Sequence, residues 1–160
     1  MADTHEQFWT MIKKFRTCMV TTIDGGLLRS RPLAPLTLGH NKAIYFLVAR
    51  DSHKIEEIEK FPQLNLSFAS DGKNEYVSVS GDASFSDDIA LKKELWSEMA
   101  DIWFDHGPED PNAIVLIVEP TAAEYWDGTR NIAKMVWEFA KAKLTNLKPD
   151  LGKNRKLSFG

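Results

Sequence analysis

Two short stretches of the sequence carry residue types that bind anions, and the first contains a pair of arginines. Arg29 and Arg31 occur in the run Arg29-Ser30-Arg31-Pro32, and side chains two residues apart on a strand point to the same face. Neighbouring guanidiniums repel each other unless something anionic lies between them. The pair therefore predicts either a phosphate clamp or a sheet edge protected by solvated charges.

The second stretch is the start of a predicted helix, where Arg50, Ser52, His53 and Lys54 follow an apolar strand. Serine is a favoured N-cap residue, and a helix N-terminus flanked by basic side chains and a hydroxyl is a sound seat for a phosphate. The plainer interpretation is a capped helix with solvated basic residues. Taken together with the arginine pair on the neighbouring strand, the stretch favours a phosphate site.

The sequence gives little support for a metal site, a nucleophilic serine or a glycine-rich nucleotide-binding motif. The four histidines, at positions 5, 40, 53 and 106, lack metal-ligand spacing. Ser52 and His53 are adjacent, and adjacent residues on a helix do not face one another, so we reject a Ser–His nucleophile. Glycine-rich nucleotide motifs and the GxSxG motif do not occur. Trp96, Trp103 and Trp137 are interpreted as core or interface packing residues rather than cofactor contacts.

Length, net charge and cysteine content limit the number of domains, the partners and the cellular compartment that the sequence allows. The 160 residues predict one domain over 1–160, with a polar, basic tail from about 145. A net charge of −3 argues against nucleic acid or an anionic membrane as a partner. Cys18 is the single cysteine and lies in an apolar run, so we expect a buried, inert thiol and a reducing compartment. We expect no signal peptide or membrane span, and a cytoplasmic protein.

The helices and strands that must position these residues are recognised by two spacings of apolar residues, one helical and one alternating. Helical patterns occupy 4–16, 52–60, 87–99 and 131–144, and strand patterns occupy 18–23, 27–38, 44–49, 64–70, 75–85, 113–119 and 122–127. Pro32 and Pro35 require the second strand to be an edge or irregular, and Gly81 marks a bulge or bend. Because turns link most consecutive strands, the sequence predicts an antiparallel sheet that forms a small barrel with peripheral helices.

An ordered set of motifs resembles the pyridoxamine 5′-phosphate oxidase-like flavoproteins, and within them the general stress protein 26 branch. The set consists of Arg31-Pro32, Ser52-His53-Lys54, Pro62, Tyr76-Val77-Ser78-Val79-Ser80-Gly81 and Glu124-Tyr125-Trp126-Asp127-Gly128. The likeness spans about residues 5–130. It implies an antiparallel split β-barrel that forms a homodimer, with FMN in a groove between the subunits.

The resemblance also implies which residues contact the cofactor. Arg31 corresponds to the flavin-binding arginine, and Ser52, His53 and Lys54 correspond to a phosphate site in which His53 replaces an arginine. Tyr76 stands where the oxidases place a glutamine, and Trp126 matches a tryptophan that reaches the flavin from the partner subunit. The complete set of implied cofactor contacts is Arg29, Arg31, Leu47, Val48, Ser52, His53, Lys54, Tyr76 and Trp126.

Two departures from the family pattern argue against vitamin B6 oxidase activity. Leu36 stands where the true oxidases carry a substrate-binding lysine, and Thr129-Arg130-Asn131-Ile132 replaces the family's Arg-x-His motif. The sequence leaves two functions open: a flavin-dependent oxidoreductase, or a stress protein that binds FMN for storage or sensing. Heme or a deazaflavin is the alternative cofactor, because related split barrels use both. No residue is assigned a catalytic role.

Overall fold

The computed structural model describes residues 4–128, 132–146, 148 and 152–160. Within these ranges the helices are α1 (Thr4–Ile12), α2 (His53–Lys60), α3 (Ile89–Leu95), α4 (Glu98–Asp101) and α5 (Ile132–Thr145). The strands are β1 (Cys18–Asp24), β2 (Leu27–Leu33), β3 (Leu36–Thr37), β4 (Ile44–Ala49), β5 (Gln63–Ser70), β6 (Glu75–Ser86), β7 (Ala113–Gly128) and β8 (Gly152–Ser158). None of the described helices is both long and apolar enough to cross a membrane.

The strands form one antiparallel sheet in the order β2-β1-β5-β6-β7-β4-β3, and β8 also pairs with β7. The end strands β2 and β3 do not pair with each other in this order, so the sheet is not closed. The prediction of an antiparallel split barrel with peripheral helices is confirmed. Short connections account for the direction of the pairs β1–β2, β3–β4 and β5–β6, because a parallel pair would need a long crossover.

The pairing of β6 with β7 runs the length of β6 and is interrupted by a bulge. Its register shifts between Ser80 and Gly81, where Gly81 lies opposite Pro120. The prediction of separate strands at 113–119 and 122–127 is therefore wrong, since both belong to β7. Pro120 does not end the strand because a bulge tolerates the missing N–H. On the other side of β7, residues before the bulge pair with β4 and residues after it pair with β8.

Close backbone approach explains why glycine occupies position 81. A Cβ atom there would lie 2.7 Å from Cγ1 of Val118 and 2.8 Å from the carbonyl oxygen of Glu119. Contacts under 3 Å with backbone cannot be relieved by a side-chain rotation. The predicted bulge at Gly81 is thus confirmed, and it depends on the missing side chain.

Other predicted boundaries need correction. The strand at 27–38 is divided into β2 and β3 around Pro35, consistent with the irregularity expected there. The helix at 87–99 is divided into α3 and α4 because the backbone is extended at Trp96 (φ −70°, ψ 143°). The basic tail includes β8, whose Leu157 is buried opposite Ala123. The segment Thr129-Arg130-Asn131 lies outside the described residues.

The main core fills the space between the inner face of the sheet and α1. Fully buried side chains from both elements meet there, among them Phe8, Ile12, Val20, Leu66 and Val79. Cys18 belongs to the same core, and its burial raises the pKa of its thiol to about 12. The expectation of a buried thiol is confirmed, and the thiolate is strongly disfavoured at neutral pH.

We expect Gly81→Ala to lower the free energy of unfolding by about 1–3 kcal/mol, the usual cost of forcing extra atoms into a packed site. Gly72→Ala is the matched control, because a Cβ at Gly72 meets nothing within 4 Å; its effect should stay within about 0.5 kcal/mol. Urea unfolding of both variants measures the difference. Equal midpoints for the two variants would show that the close approach at the bulge is unimportant.

Candidate functional site

The turn from β4 into α2 is held by the hydroxyl of Ser52. Its Oγ donates to the carbonyl of Ala49 over 2.7 Å and accepts from Nζ of Lys54 over 3.0 Å. Ser52 is the N-cap residue, as predicted, but its side chain makes no capping hydrogen bond. The hydroxyl therefore fixes the β4–α2 turn and places the Lys54 ammonium beside it.

Arg50 points away from this turn. Its guanidinium forms an ion pair with Asp87 and donates to the carbonyl of Pro111 over 3.1 Å. Its backbone N–H donates to the carbonyl of Asn112. Arg50 thus ties the end of β4 to the segments around α3 and β7, and it does not contribute to the predicted phosphate seat.

Arg31 reaches a buried carboxylate. It donates to Oε2 of Glu57 over 2.7 Å and to Oγ1 of Thr22 over 2.8 Å. The Thr22 hydroxyl donates in turn to Oε2 of Glu57 over 2.5 Å. Because Thr22 and Glu57 are 1% and 4% exposed, the three side chains form a buried network that joins β1, β2 and α2.

Arg29 has a different anionic partner from Arg31. Its guanidinium lies 2.9 Å from Oδ2 of Asp24, and this hydrogen bond holds the pKa of Asp24 below its usual value. The register places Arg29 opposite Thr22 and Arg31 opposite Val20, so both arginines share the inward face. The anions expected near the arginine pair are therefore present in the chain itself, as Asp24 and Glu57.

His53 faces the same two carboxylates. Its Nε2 lies 3.7 Å from an oxygen of Asp24 and 3.7 Å from an oxygen of Glu57. The three side chains offer ligand atoms within 4.8 Å of one another, a spacing compatible with a metal ion. Arg29 and Arg31 already pair with these carboxylates, which cancels the negative charge that would attract a cation. We assign an ion-pair cluster here.

Lys54 sits at the wall of an apolar cavity. Partial burial, and next the positive charge of Arg31, lower the pKa of Lys54 from its usual value. The cavity has a volume of about 490 Å³. The residues lining it come from the β2–β3 segment, β4 and the region around α4: Pro32, Leu33, Ala34, Leu36, Leu47, Val48, Ala49, Lys54, Ser97, Met99, Ala100, Trp103 and Phe104. Of the predicted cofactor contacts, Leu47, Val48 and Lys54 are thus brought together in this lining.

Tyr76 and Trp126 form a second group. They lie opposite each other in the β6–β7 ladder, and neither belongs to the described lining of the cavity. The Tyr76 hydroxyl donates to Asp71 over 3.2 Å, and this contact raises the pKa of Tyr76. Trp126 is 37% exposed.

Within one protomer the predicted contacts therefore fall into three groups. Leu47, Val48 and Lys54 line the cavity, and Tyr76 and Trp126 lie on the outer face of the sheet. The rest are outside the described lining, in the ion-pair cluster and the β4–α2 turn: Arg29, Arg31, Ser52 and His53.

Glu57 is a residue of the site to which the sequence pattern assigns no role. A glutamate between Ile55 and Ile58 stands next to the apolar stripe of α2. That position was the available signal for burial. Trp103, which the sequence assigns to core or interface packing, is 77% exposed and lines the cavity, so it does not belong to the core of the protomer.

Comparison with known proteins agrees with this architecture. A model of the family described as pyridoxamine 5′-phosphate oxidase like matches residues 3–150, and the chain belongs to that family. Within it, the chain is 36% identical to General stress protein 26 of Bacillus subtilis over 122 residues, which is 74% of this chain and 84% of that protein. Protein bli-3 of Neurospora crassa is 30% identical over 151 residues, covering 88% and 72% of the two chains.

Solved structures give the same assignment. A protein of Jannaschia sp. CCS1 assigned to general stress protein 26 superposes with a TM-score of 0.81 at 30% identity, covering 99% of this chain and 100% of that one. The general stress FMN/FAD binding protein of Xanthomonas citri gives a TM-score of 0.70 at 26% identity, covering 80% and 92%. The predicted resemblance to the general stress protein 26 branch is confirmed.

We expect Glu57→Ala to lower the free energy of unfolding by about 3 kcal/mol, because it removes the carboxylate from a buried ion pair and leaves Arg31 without that partner. Glu56→Ala is the control on the same helix, since Glu56 is exposed, and its effect should stay within about 0.5 kcal/mol. Urea unfolding compares the two. A Glu57 variant as stable as the Glu56 variant would show that the network does not hold α2 to the hairpin.

Proposed function

We propose that this chain is an FMN-binding stress-response protein whose flavin lies in the cavity beside Lys54. The observation that carries the proposal is the position of Lys54, a partly buried cation at the wall of an otherwise apolar cavity. A flavin mononucleotide has the matching chemistry, since a planar aromatic ring system with an apolar dimethylbenzene edge and a phosphate lie at opposite ends of the molecule. When bound, the flavin would supply electron or hydride transfer at its ring.

The cavity fits this group in size and lining. Its volume of about 490 Å³ lies within the usual range for small-molecule sites, roughly 300–1,000 Å³. Leu36, Leu47 and Val48 provide an apolar surface for a ring. Lys54 provides the charged end, and its ammonium donates to the hydroxyl of Ser52, which lies outside the described lining.

Lys54 is the principal phosphate contact in this proposal. The charge of Arg31 is offset by Glu57, whereas Lys54 has a lowered pKa that a nearby anion would restore towards its usual value. Arg31 has five N–H donors, two of which serve Thr22 and Glu57, so it can still contribute to a phosphate. Arg29 and His53 already interact with Asp24, so we expect them to contribute less to phosphate binding than Lys54 does.

The lining of the cavity favours binding over acid–base chemistry. Lys54 is the one ionisable side chain among the described residues that line it. A general acid or base must lie within hydrogen-bond reach of the proton it moves. The site therefore suits a protein that holds a flavin, and any reaction there would depend on transfer at the flavin ring.

The relatives support a flavin as the ligand. The Xanthomonas citri neighbour is an FMN/FAD binding protein by name, and the family model is that of pyridoxamine 5′-phosphate oxidase like proteins. Of FMN and FAD, we choose FMN because the proposed phosphate site is a single cluster around Lys54.

A reducing, cytoplasmic setting belongs to the same proposal. Cys18 is the single cysteine, and it is buried in the core. The fold therefore needs no disulfide, which suits a reducing compartment.

Titration of the protein with FMN and with riboflavin tests the phosphate seat. We expect FMN to bind more tightly than riboflavin, and Lys54→Ala to weaken FMN by roughly tenfold or more, because a charge-assisted contact contributes about 1.5–3 kcal/mol. FMN affinity should also fall as pH rises through the pKa of Lys54, which lies below 10.5 in the free protein, since only the charged amine attracts the phosphate. Riboflavin should show neither effect.

Lys54→Arg is the matched control, because arginine stays charged and should abolish the loss of affinity at high pH. Equal affinities of the wild-type protein for FMN and riboflavin would contradict the phosphate seat. Failure of both flavins to bind would contradict the proposed function as a whole.

We further propose that the functional unit is a homodimer with the flavin at the subunit interface. The support is the separation of the predicted contacts within one protomer: Leu47, Val48 and Lys54 line the cavity, while Tyr76 and Trp126 lie on another part of the sheet. A second copy of the chain would bring its own Tyr76 and Trp126 to the cavity of the first.

Sedimentation velocity at micromolar concentration should show a dimer, with and without FMN. Trp126→Ala should weaken FMN binding although Trp126 does not line the cavity of its own protomer. A monomeric protein that binds FMN normally would rule out the shared site.

A further inference from the structure

The region around α4 forms one wall of the cavity and is held firmly in place. Ala100 and Phe104 are buried and pack with Ala113 of β7. The Trp96 indole donates to Asp101 over 2.7 Å, and its ring lies 5.6 Å from that of Phe104. A short helix fixed at both ends can present its remaining side chains in a defined position.

Trp103 occupies an unusual position on this wall. It lines the cavity and yet is 77% exposed, while its neighbour in the cavity lining, Met99, is 66% exposed. Large apolar side chains beside a cavity become buried when a flat ligand enters. Leu36 and Leu47 also line the cavity and add to its apolar surface.

We propose that Trp103 is a ring-contact residue for the flavin, an inference that rests on the proposed function. Lys54 would bind the phosphate end, and Trp103 with Met99 would cover the ring at the α4 wall. Aromatic rings stack on one another in preference to exposing both faces to water. Trp103 would then determine affinity for the ring itself, independently of the phosphate.

Ligands that share the flavin ring but differ in the phosphate distinguish a ring contact from a phosphate contact. A ring contact contributes equally to FMN, riboflavin and lumiflavin, because all three carry the same ring system. A phosphate contact contributes to FMN alone. Trp103→Ala should therefore weaken all three ligands by a similar factor, about tenfold, whereas Lys54→Ala should weaken FMN selectively.

Flavin titrations of four proteins make the test: the wild type, Trp103→Ala, Trp103→Phe and Trp137→Ala. Phenylalanine keeps an aromatic face and should stay within about threefold of the wild type. Trp137 is 67% exposed on α5 and does not belong to the described cavity lining, so its variant should bind normally. Quenching of tryptophan fluorescence on flavin binding should be smaller in Trp103→Phe than in the wild type.

Unchanged binding of all three flavins to Trp103→Ala would overturn the inference and leave the proposed function intact. A loss confined to FMN would also overturn it, since that would place Trp103 at the phosphate end. Sedimentation of Trp103→Ala should show the same oligomeric state as the wild type. A change of state that accompanies the loss of affinity would show that Trp103 acts through a subunit contact, which overturns the ring contact.

Discussion

The pairing of β6 with β7 is the constraint on which the arrangement of the sheet depends. It extends along all 12 residues of β6, and the bulge at Gly81 divides it into two parts. Before the bulge, β7 supports β4, which forms one side of the cavity. Beyond the bulge, the same strand carries Trp126 and supports β8. A single ladder thus holds the cavity and the Tyr76–Trp126 pair at fixed but separate positions.

A buried carboxylate determines how α2 joins this sheet. Glu57 accepts hydrogen bonds from Arg31 and Thr22, so three elements meet at one anion. Burying an unpaired carboxylate would be costly, and pairing it with a guanidinium and a hydroxyl offsets that cost. The network also fixes the first turn of α2, and with it the position of Lys54.

Much of this architecture could be predicted from the sequence, and the remainder could not for identifiable reasons. Residue alternation and turn signals were sufficient for most strands, and the motif order was sufficient for the family. Pro120 was misleading because a proline opposite a glycine bulge does not end a strand. The role of Glu57 could not be predicted because local patterns cannot show which distant residues surround a side chain: Arg31 is 26 residues from Glu57.

The ion pair between Arg31 and Glu57 affects how strongly Arg31 can attract a phosphate. A guanidinium that already neutralises a buried carboxylate adds less attraction for a second anion, whereas an ammonium whose pKa is lowered by burial gains the most from one. Under the proposed function, stability and ligand affinity would therefore depend on different cations: Arg31 chiefly on the side of the fold, and Lys54 chiefly on the side of the ligand. Because Arg31 lowers the pKa of Lys54, the two roles remain coupled through charge.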